Sequence, residues 1–202
     1  STNNRQMGDF PSHSCVPIIG EADTMVEAKR NGSSYPCVAI AKRDPSDNSI
    51  TLGAQTIVSS NAIGGLNIAH DPTTGNERRG IVAYTYSPGG TKTLYANVYT
   101  ITGSGSSTSD YSISIGSVAT LQTVQSNAGI LKMDPHTAGR FFYSYIGNHQ
   151  ADPWQQFQGQ TMGLVTGTSI GSIANAFVES SGNMSIYIGS NITPFFNIKE
   201  SR

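Results

Sequence analysis

Short apolar runs separated by turn residues make up most of this chain. The clearest stretch extends from Gly64 to Gly103, and its runs are rich in Ile, Val, Tyr and Thr. The runs are Leu66–Ala69, Ile81–Tyr86 and Leu94–Ile101. These residue types favour the pleated, half-buried surface of a β-sheet, and the Asp-Pro and Pro-Gly pairs between the runs favour turns. The stretch therefore predicts an antiparallel meander.

A weaker copy of this pattern follows about 60 residues later, a period typical of sheet-repeat architectures. The matched pairs are Asp71-Pro72 with Asp134-Pro135, Gly80-x-x-x-Tyr84 with Gly139-x-x-x-Tyr143, and Thr102-Gly103 with Thr166-Gly167. Asp44-Pro45 adds a third step from a strand into a turn. We interpret the repeat as an all-β fold of antiparallel meander repeats, with β-propeller-like blades, and a β-sandwich is the alternative. A simpler explanation is that any all-β chain reuses favourable turns.

The repeat also predicts how the chain is organised. We expect an extended N-terminal arm at 1–13, an all-β repeat domain at 14–190 with units near 14–60, 61–126 and 127–190, and an extended C-terminal tail at 191–202. Glu21–Arg30 is the one segment with some helical propensity. Its apolar residues form no stripe at helical spacing, so a strand is expected there as much as a helix.

Charge and hydrophobicity exclude several classes of protein. Charged residues make up 12% of the 202 residues and the net charge is −1. Nucleic-acid binding needs clustered Lys and Arg, so we expect no nucleic-acid partner. No apolar run approaches the roughly 18 residues of a membrane-spanning helix, so we expect no membrane insertion. The chain begins at Ser1, which leaves open whether it belongs to a longer polypeptide.

Patterns for catalysis or metal binding are missing from the sequence. There is no G-x-S-x-G motif, and His70-Asp71 is interpreted as the end of a strand that meets a turn. The four histidines lack the spacing of metal ligands, and Cys15 and Cys37 are too few for a zinc site. Whether these two cysteines form a disulfide is left open. Asp44–Asn48 lacks the register of a calcium loop. We therefore predict no enzymatic activity, no cofactor and no metal.

One stretch has the composition of a binding site. Gly147–Gln160 interrupts the second meander and contains the only tryptophan of the chain. The candidate residues for binding a glycan or a receptor are His149, Asp152, Trp154, Gln155 and Phe157. Aromatic rings stack on sugar C–H groups, and polar side chains bind the hydroxyls. The alternative is that Trp154 and Phe157 pin the loop onto the core.

Several segments together carry a resemblance to a known class of proteins. They are the strand–Asp-Pro–strand units Leu66–Tyr86 and Leu131–Tyr145, the run Leu94–Ile115, and the pair Ser169–Ala176 and Ser180–Ile188. In these segments the chain resembles phage tail fibre and tail-tip structural proteins with β-propeller-like or β-sheet repeats. The resemblance implies a non-enzymatic virion protein that contacts the host surface or neighbouring virion proteins and forms homo-oligomers. One departure is that three units are fewer than the four or more blades of most propellers.

Two other functions are compatible with the sequence. One is a secreted or surface β protein that binds or cleaves carbohydrate, which would place the chain outside the cell. The other is a capsid-surface or filament subunit. The partners we expect are other copies of this chain, neighbouring virion proteins and a host-surface glycan.

Overall fold

The chain folds into antiparallel β-sheets throughout the part that the structure describes. This structure is a computed structural model, in which residues 13–86, 93–123, 125–148 and 156–179 are described. Over these residues the strands form three sheets, and one short 3-10 helix, Thr108–Asp110, precedes the last strand of the central sheet. The predicted all-β fold class is confirmed.

Each sheet is built from strands that follow one another in chain order. The first sheet contains β1 (His13–Pro17), β2 (Thr24–Arg30), β3 (Pro36–Arg43) and β4 (Ile50–Leu52), with β5 (Thr56–Ile57) paired to β3. The central sheet contains β6 (Leu66–His70), β7 (Arg79–Tyr86), β8 (Thr93–Gly103) and β9 (Tyr111–Thr123). The third sheet contains β10 (Gln125–Met133), β11 (Arg140–Asn148), β12 (Gln156–Thr166) and β13 (Ser169–Glu179). Thr24–Arg30, for which helix and strand were equally expected, is a strand.

The central sheet is buried on both faces. Successive side chains of a strand point to opposite faces, and in β7 both sets are apolar. Val82 and Tyr84 pack against the first sheet, whereas Ile81 and Ala83 pack against the third. The three sheets therefore form a stack with two apolar cores.

The two cores have different side chains. The core between the first and central sheets is built mainly from Ile18, Val26, Val38, Ile40, Leu66, Ile68, Val82, Tyr84, Tyr99 and Ile101. The core between the central and third sheets is built mainly from Ile81, Leu94, Val98, Leu121, Leu131, Met133, Phe141, Tyr143 and Val165.

Backbone hydrogen bonds show which residues of the central and third sheets are equivalent. The Asp71 N–H donates to the Arg79 carbonyl at 2.9 Å, as the Asp134 N–H donates to the Arg140 carbonyl at 2.8 Å. The predicted match of Asp71-Pro72 with Asp134-Pro135 is therefore confirmed. Gly103 and Gly167, from the predicted match of the two Thr-Gly pairs, both have positive φ.

The predicted match of Gly80 with Gly139 is wrong by two residues. Since Arg79 is equivalent to Arg140, Gly80 is equivalent to Phe141. The cause is turn length: the turn runs eight positions from Asp71 to Arg79, but only six from Asp134 to Arg140. The repeated Gly-x-x-x-Tyr pattern is thus a coincidence of local sequence.

Asp44-Pro45 is not a third copy of the same turn. It lies between β3 and β4, whereas Asp71 and Asp134 follow the first strands of their sheets. In the first sheet the equivalent position is Ile18, whose N–H donates to the Thr24 carbonyl at 3.0 Å. Ile18 is buried in the core, so an apolar side chain replaces the carboxylate in this sheet.

In both the central and the third sheet, a glycine on one strand pairs with an aromatic residue on the neighbouring strand. The glycine is on the second strand of the central sheet but on the third strand of the third sheet. In the central sheet Gly80 pairs with Tyr99, and in the third sheet Phe141 pairs with Gly163. A Cβ at Gly80 would lie 2.2 Å from the Ala69 carbonyl oxygen and 2.4 Å from the Tyr99 hydroxyl. Only a residue without a side chain fits beneath the ring.

Gly80→Ala should therefore lower the free energy of unfolding by about 1–3 kcal/mol, the usual cost of overpacking a dense core. Gly171→Ala is the matched control, because a Cβ at Gly171 meets nothing within 4 Å. Urea denaturation followed by circular dichroism measures both variants. Equal stability of the two would contradict the packing constraint at Gly80.

Candidate functional site

Buried charged groups are concentrated in the turns between the first and second strands of the sheets. We call these the first turns; they comprise residues 18–23, 71–78 and 134–139. Side chains of the first turn of one sheet contact the first turn of the next, so the three turns lie at one end of the stack. This end is the candidate functional site.

Asp71 is the most buried acid of the site, with no solvent exposure. Its Oδ1 accepts hydrogen bonds from the backbone N–H and the hydroxyl of Thr73, at 3.1 and 2.6 Å. Its Oδ2 accepts from Arg79 Nε at 3.0 Å and from the Gly139 N–H at 2.9 Å. Because Gly139 belongs to the third sheet, Asp71 joins the central sheet to the third.

Glu21 joins the first sheet to the central sheet. One carboxylate oxygen is paired with the Arg78 guanidinium, and the other accepts a hydrogen bond from the Tyr111 hydroxyl. Arg78 also donates to the Gly103 carbonyl at 2.9 Å, which fixes its guanidinium. Both interfaces of the stack are therefore held at this end by a carboxylate of one sheet that binds donors of the next.

His70 precedes Asp71, but its ring does not bind the Asp71 carboxylate. Its Nδ1 lies 2.8 Å from the Tyr99 hydroxyl, and its Nε2 bonds the Glu77 carbonyl oxygen. A carbonyl only accepts, so Nε2 carries the proton and the neutral Nδ1 accepts from Tyr99. Burial is the largest influence on His70 and lowers its pKa. Burial therefore favours the neutral ring, and the two hydrogen bonds fix its orientation.

Asp134 is the third-sheet equivalent of Asp71 and has a different environment. The residue is 4% exposed, and its Oδ1 accepts from the His136 N–H at 2.8 Å. Its Oδ2 lies 3.5 Å from Arg140 Nη1 and makes no hydrogen bond. Both oxygens of Asp71 accept hydrogen bonds, whereas this oxygen of Asp134 accepts none. Burying an acceptor without a hydrogen bond costs free energy of folding.

The carboxylates of Asp71 and Glu21 hold neighbouring sheets together, and we call each of them, with its donors, a clamp. A buried carboxylate with charged and backbone donors is a strong, directional connection, because its hydrogen bonds are charge-assisted. General acid–base catalysis needs a group that can exchange a proton with substrate. Asp71, Glu21 and His70 instead direct their polar atoms at protein donors and acceptors.

The structure describes little of the binding site predicted from the sequence. His149, Asp152, Trp154 and Gln155 lie outside the described residues. Phe157 lies in β12, where its backbone pairs with Gly147 and Glu179, and its side chain is not among those described. Their proposed role in binding stays a prediction.

The other sequence candidates are turn and sheet residues. Asp44 and Asp47 accept hydrogen bonds from Ser46 and Ser49, and these bonds lower the pKa of both acids. Cys15 and Cys37 are both free, and burial raises the pKa of the Cys37 thiol. Among the described residues, no group of three or more His, Cys, Asp or Glu side chains is arranged to hold a metal ion.

Sequence reasoning missed Glu21, Arg78, Tyr111 and Gly139 as members of the site. A partial signal exists: the Asp71-Pro72 and Asp134-Pro135 pairs are each followed by an arginine at the start of the next strand, Arg79 or Arg140. The pairing of Glu21 with Arg78 has no such signal, because the two residues are 57 positions apart and in different sheets.

Buried His70 should make folding sensitive to acid. Its pKa is lower in the folded protein than the ordinary 6.5, so below about pH 6.5 the unfolded chain binds a proton that the folded chain excludes. The free energy of unfolding should therefore fall between pH 7 and pH 5. His70→Gln, which cannot titrate, should weaken this dependence in urea denaturation, and an unchanged slope would show that His70 does not contribute to it.

Within the described part of the chain, no helix is long and apolar enough to span a membrane. No protein-family model, curated protein or solved structure matches the chain. Its function is therefore inferred from the residues and contacts described above.

Proposed function

We propose that this chain is a non-enzymatic structural and binding protein of a virion, as in a phage tail or fibre, where it contacts neighbouring virion proteins or the host surface. The observation that carries the structural part is the use of buried carboxylates to join sheets. Asp71 and Glu21 direct their oxygens at donors of the neighbouring sheet. Groups used in this way stabilise a scaffold.

The layered fold also supports an assembly role. Each sheet is a short meander that covers the apolar face of the next, so the architecture grows by adding sheets. Such modular growth suits extended or ring-shaped assemblies. The virion setting comes from the resemblance of the repeat segments to tail fibre and tail-tip proteins.

The loop between β11 and β12 is the proposed contact with a receptor or glycan. It contains His149, Asp152 and Trp154, and the flanking strands meet where Asn148 pairs with Gln156. β11 runs away from the first turn of its sheet, so this pair lies at the end of the sheet opposite the clamp. The proposed binding end is thus separate from the end that holds the sheets together.

The proposal is tested by assembly and by activity on glycans. Multi-angle light scattering and electron microscopy of the purified chain should show homo-oligomers, or co-assembly with neighbouring virion proteins. A glycan panel should show no turnover. Hydrolysis that a single Asp or Glu substitution abolishes would contradict a structural role and favour the carbohydrate-active alternative.

Trp154→Ala should weaken binding to whole host cells or to a glycan array at least about tenfold, because an aromatic anchor carries much of the energy of a small contact. Its melting temperature should stay nearly that of the wild-type protein. Tyr35→Ala, in the turn between β2 and β3, serves as the aromatic control and should leave binding unchanged. A large loss of melting temperature in Trp154→Ala would show instead that this residue pins the loop to the core.

A further inference from the structure

Two buried acceptors without a hydrogen bond lie on the two outer sheets of the stack. Among the described residues, the buried side-chain oxygens without a hydrogen-bond partner are Asp134 Oδ2 and Glu27 Oε2. Arg140 Nη1 lies 3.5 Å from Asp134 Oδ2, whereas Lys29 Nζ forms an ion pair with Glu27 Oε2 at 2.9 Å. Asp134 belongs to the third sheet and Glu27 to the first. Buried polar groups are normally satisfied. Glu27 Oε2 is compensated by the Lys29 ammonium, so Asp134 Oδ2 is the oxygen that needs an explanation.

Asp134 has the same position in the third sheet that Asp71 has in the central sheet, and Asp71 binds the next sheet. Asp71 Oδ2 accepts the Gly139 N–H of the third sheet at 2.9 Å, and Asp134 Oδ2 is the equivalent atom one sheet further on. The same direction holds at the first interface, where Glu21 reaches Arg78 of the central sheet. In the first two sheets an acid of the first turn therefore binds the sheet that follows. Asp134, in the third sheet, has no following sheet among the described residues.

The first sheet carries the donor that such an interface requires. Backbone bonds make Asp23 the equivalent of Gly139: the Arg43 N–H donates to the Asp23 carbonyl as the Val165 N–H donates to the Gly139 carbonyl, both at 2.8 Å. Asp23 has φ 57° and Gly139 has φ 73°, so both have the same left-handed backbone. The first turn of the first sheet thus carries an N–H at the position equivalent to the Gly139 N–H that Asp71 binds.

The outer face of the first sheet is apolar at its margin. Leu52 pairs with Ala41, Ile57 pairs with Cys37, and Glu27 pairs with Ala39, so these side chains share the face turned away from the central sheet. Leu52 is 45% exposed and Ile57 is 53% exposed. A contact that covers this margin would bury both side chains, which is favourable.

The outer face of the third sheet has a complementary charge. Lys132 pairs with Phe142, and the residues beside it in β10, Leu131 and Met133, point into the core. Lys132 is therefore exposed on the face turned away from the central sheet. A lysine on this face has the charge opposite to that of Glu27, which lies on the outer face of the first sheet and is paired with His13 and Lys29.

We propose that the outer face of the third sheet of one copy stacks on the outer face of the first sheet of a second copy. The Asp23 N–H of the second copy donates to Asp134 Oδ2, as Gly139 does to Asp71. Lys132 faces Glu27 across the interface, and Leu52 and Ile57 lose their exposure. The inference specifies the interface of the homo-oligomer in the proposed function and rests on that function only for its biological setting.

This contact joins two different surfaces, so it is head-to-tail. Head-to-tail contacts close into rings when the rotation per copy divides a full turn, and they otherwise extend as filaments. Either product continues the order of sheets that exists within one copy. A face-to-face dimer would not place Asp134 against the Asp23 turn.

The test uses the full chain and substitutions on both faces. Leu52→Glu and Ile57→Glu place a charge on the first-sheet face, and Lys132→Glu reverses the charge of the third-sheet face. Each should weaken association at least about tenfold in concentration-dependent light scattering. Val118→Glu is the matched control, because Val118 is 59% exposed on the central sheet and on neither outer face. Circular dichroism verifies that every variant is folded.

Mixing the variants tests the head-to-tail arrangement. Leu52→Glu retains an intact third-sheet face, and Lys132→Glu retains an intact first-sheet face. An equal mixture should therefore form dimers that contain one of each, although neither variant forms large assemblies alone. Failure to form these mixed dimers, with both variants folded, would overturn the arrangement.

The two aspartates separate association from folding. In the Leu52→Glu background, Asp71→Asn should lower the melting temperature by roughly 5 °C or more. The side-chain NH2 of the asparagine would face two hydrogen-bond donors, Arg79 and the Gly139 N–H, in place of an acceptor. Asp134→Asn in the same background should change it little, since Oδ2 has no hydrogen bond within one copy. In the wild-type background Asp134→Asn should weaken association about tenfold, the value of one charge-assisted hydrogen bond. A large folding defect in Asp134→Asn would overturn the assignment of its vacant acceptor.

Other outcomes distinguish the interface from the proposed function. Oligomers of the wild-type chain that persist in Leu52→Glu and Lys132→Glu would overturn this interface and leave the structural role standing. A wild-type chain that is monomeric at all concentrations would overturn the stacking, with the acceptor covered from within the chain or by another protein. Binding to host cells and the glycan panel would then test the proposed function independently of the stacking.

Discussion

The central sheet has two apolar faces, and the rest of the fold follows from covering both of them. Val82 and Tyr84 need one neighbour, and Ile81 and Ala83 need another. Fully burying one large apolar side chain contributes about 1.5–3 kcal/mol, so leaving either face open would forfeit an amount comparable to the whole stability of a typical domain. The first and third sheets each cover one face. Because each core is shared, the sheets stabilise one another.

Apolar faces alone do not fix how far one sheet slides or rotates on the next. Directional groups at the first turns supply that information. Asp71 accepts the Gly139 N–H, and Glu21 binds Arg78 and Tyr111, so each interface has one arrangement in which a buried carboxylate is satisfied. Removing one partner of such a group leaves a buried charge without compensation, which is strongly destabilising. The clamps therefore contribute to the choice of arrangement as much as to stability.

The same two requirements, a covered apolar face and a satisfied carboxylate, also apply to the outer faces of the first and third sheets. Within one copy they are met at both interfaces. At the outer faces the apolar margin of the first sheet is exposed, and Asp134 has an oxygen without a hydrogen bond. A protein whose ends repeat the chemistry of its interior interfaces is suited to assembly, which is consistent with a structural role in a larger particle.

The sequence by itself determined most of the strands, the turns and the all-β class, because alternation of side chains and turn chemistry are local properties. For Thr24–Arg30 it left helix and strand equally expected, and the structure shows a strand. It also located the Asp71 and Asp134 turns correctly. It gave the wrong register for Gly80 and Gly139, since a turn two residues longer shifts the strand that follows without changing its local pattern. Only the tertiary structure placed Ile18 at the position of Asp71 and brought Glu21 to Arg78, because contacts between sheets join residues that are far apart in sequence. Which carboxylate is satisfied and which is left with a vacant acceptor was likewise decided by the stacking of the sheets.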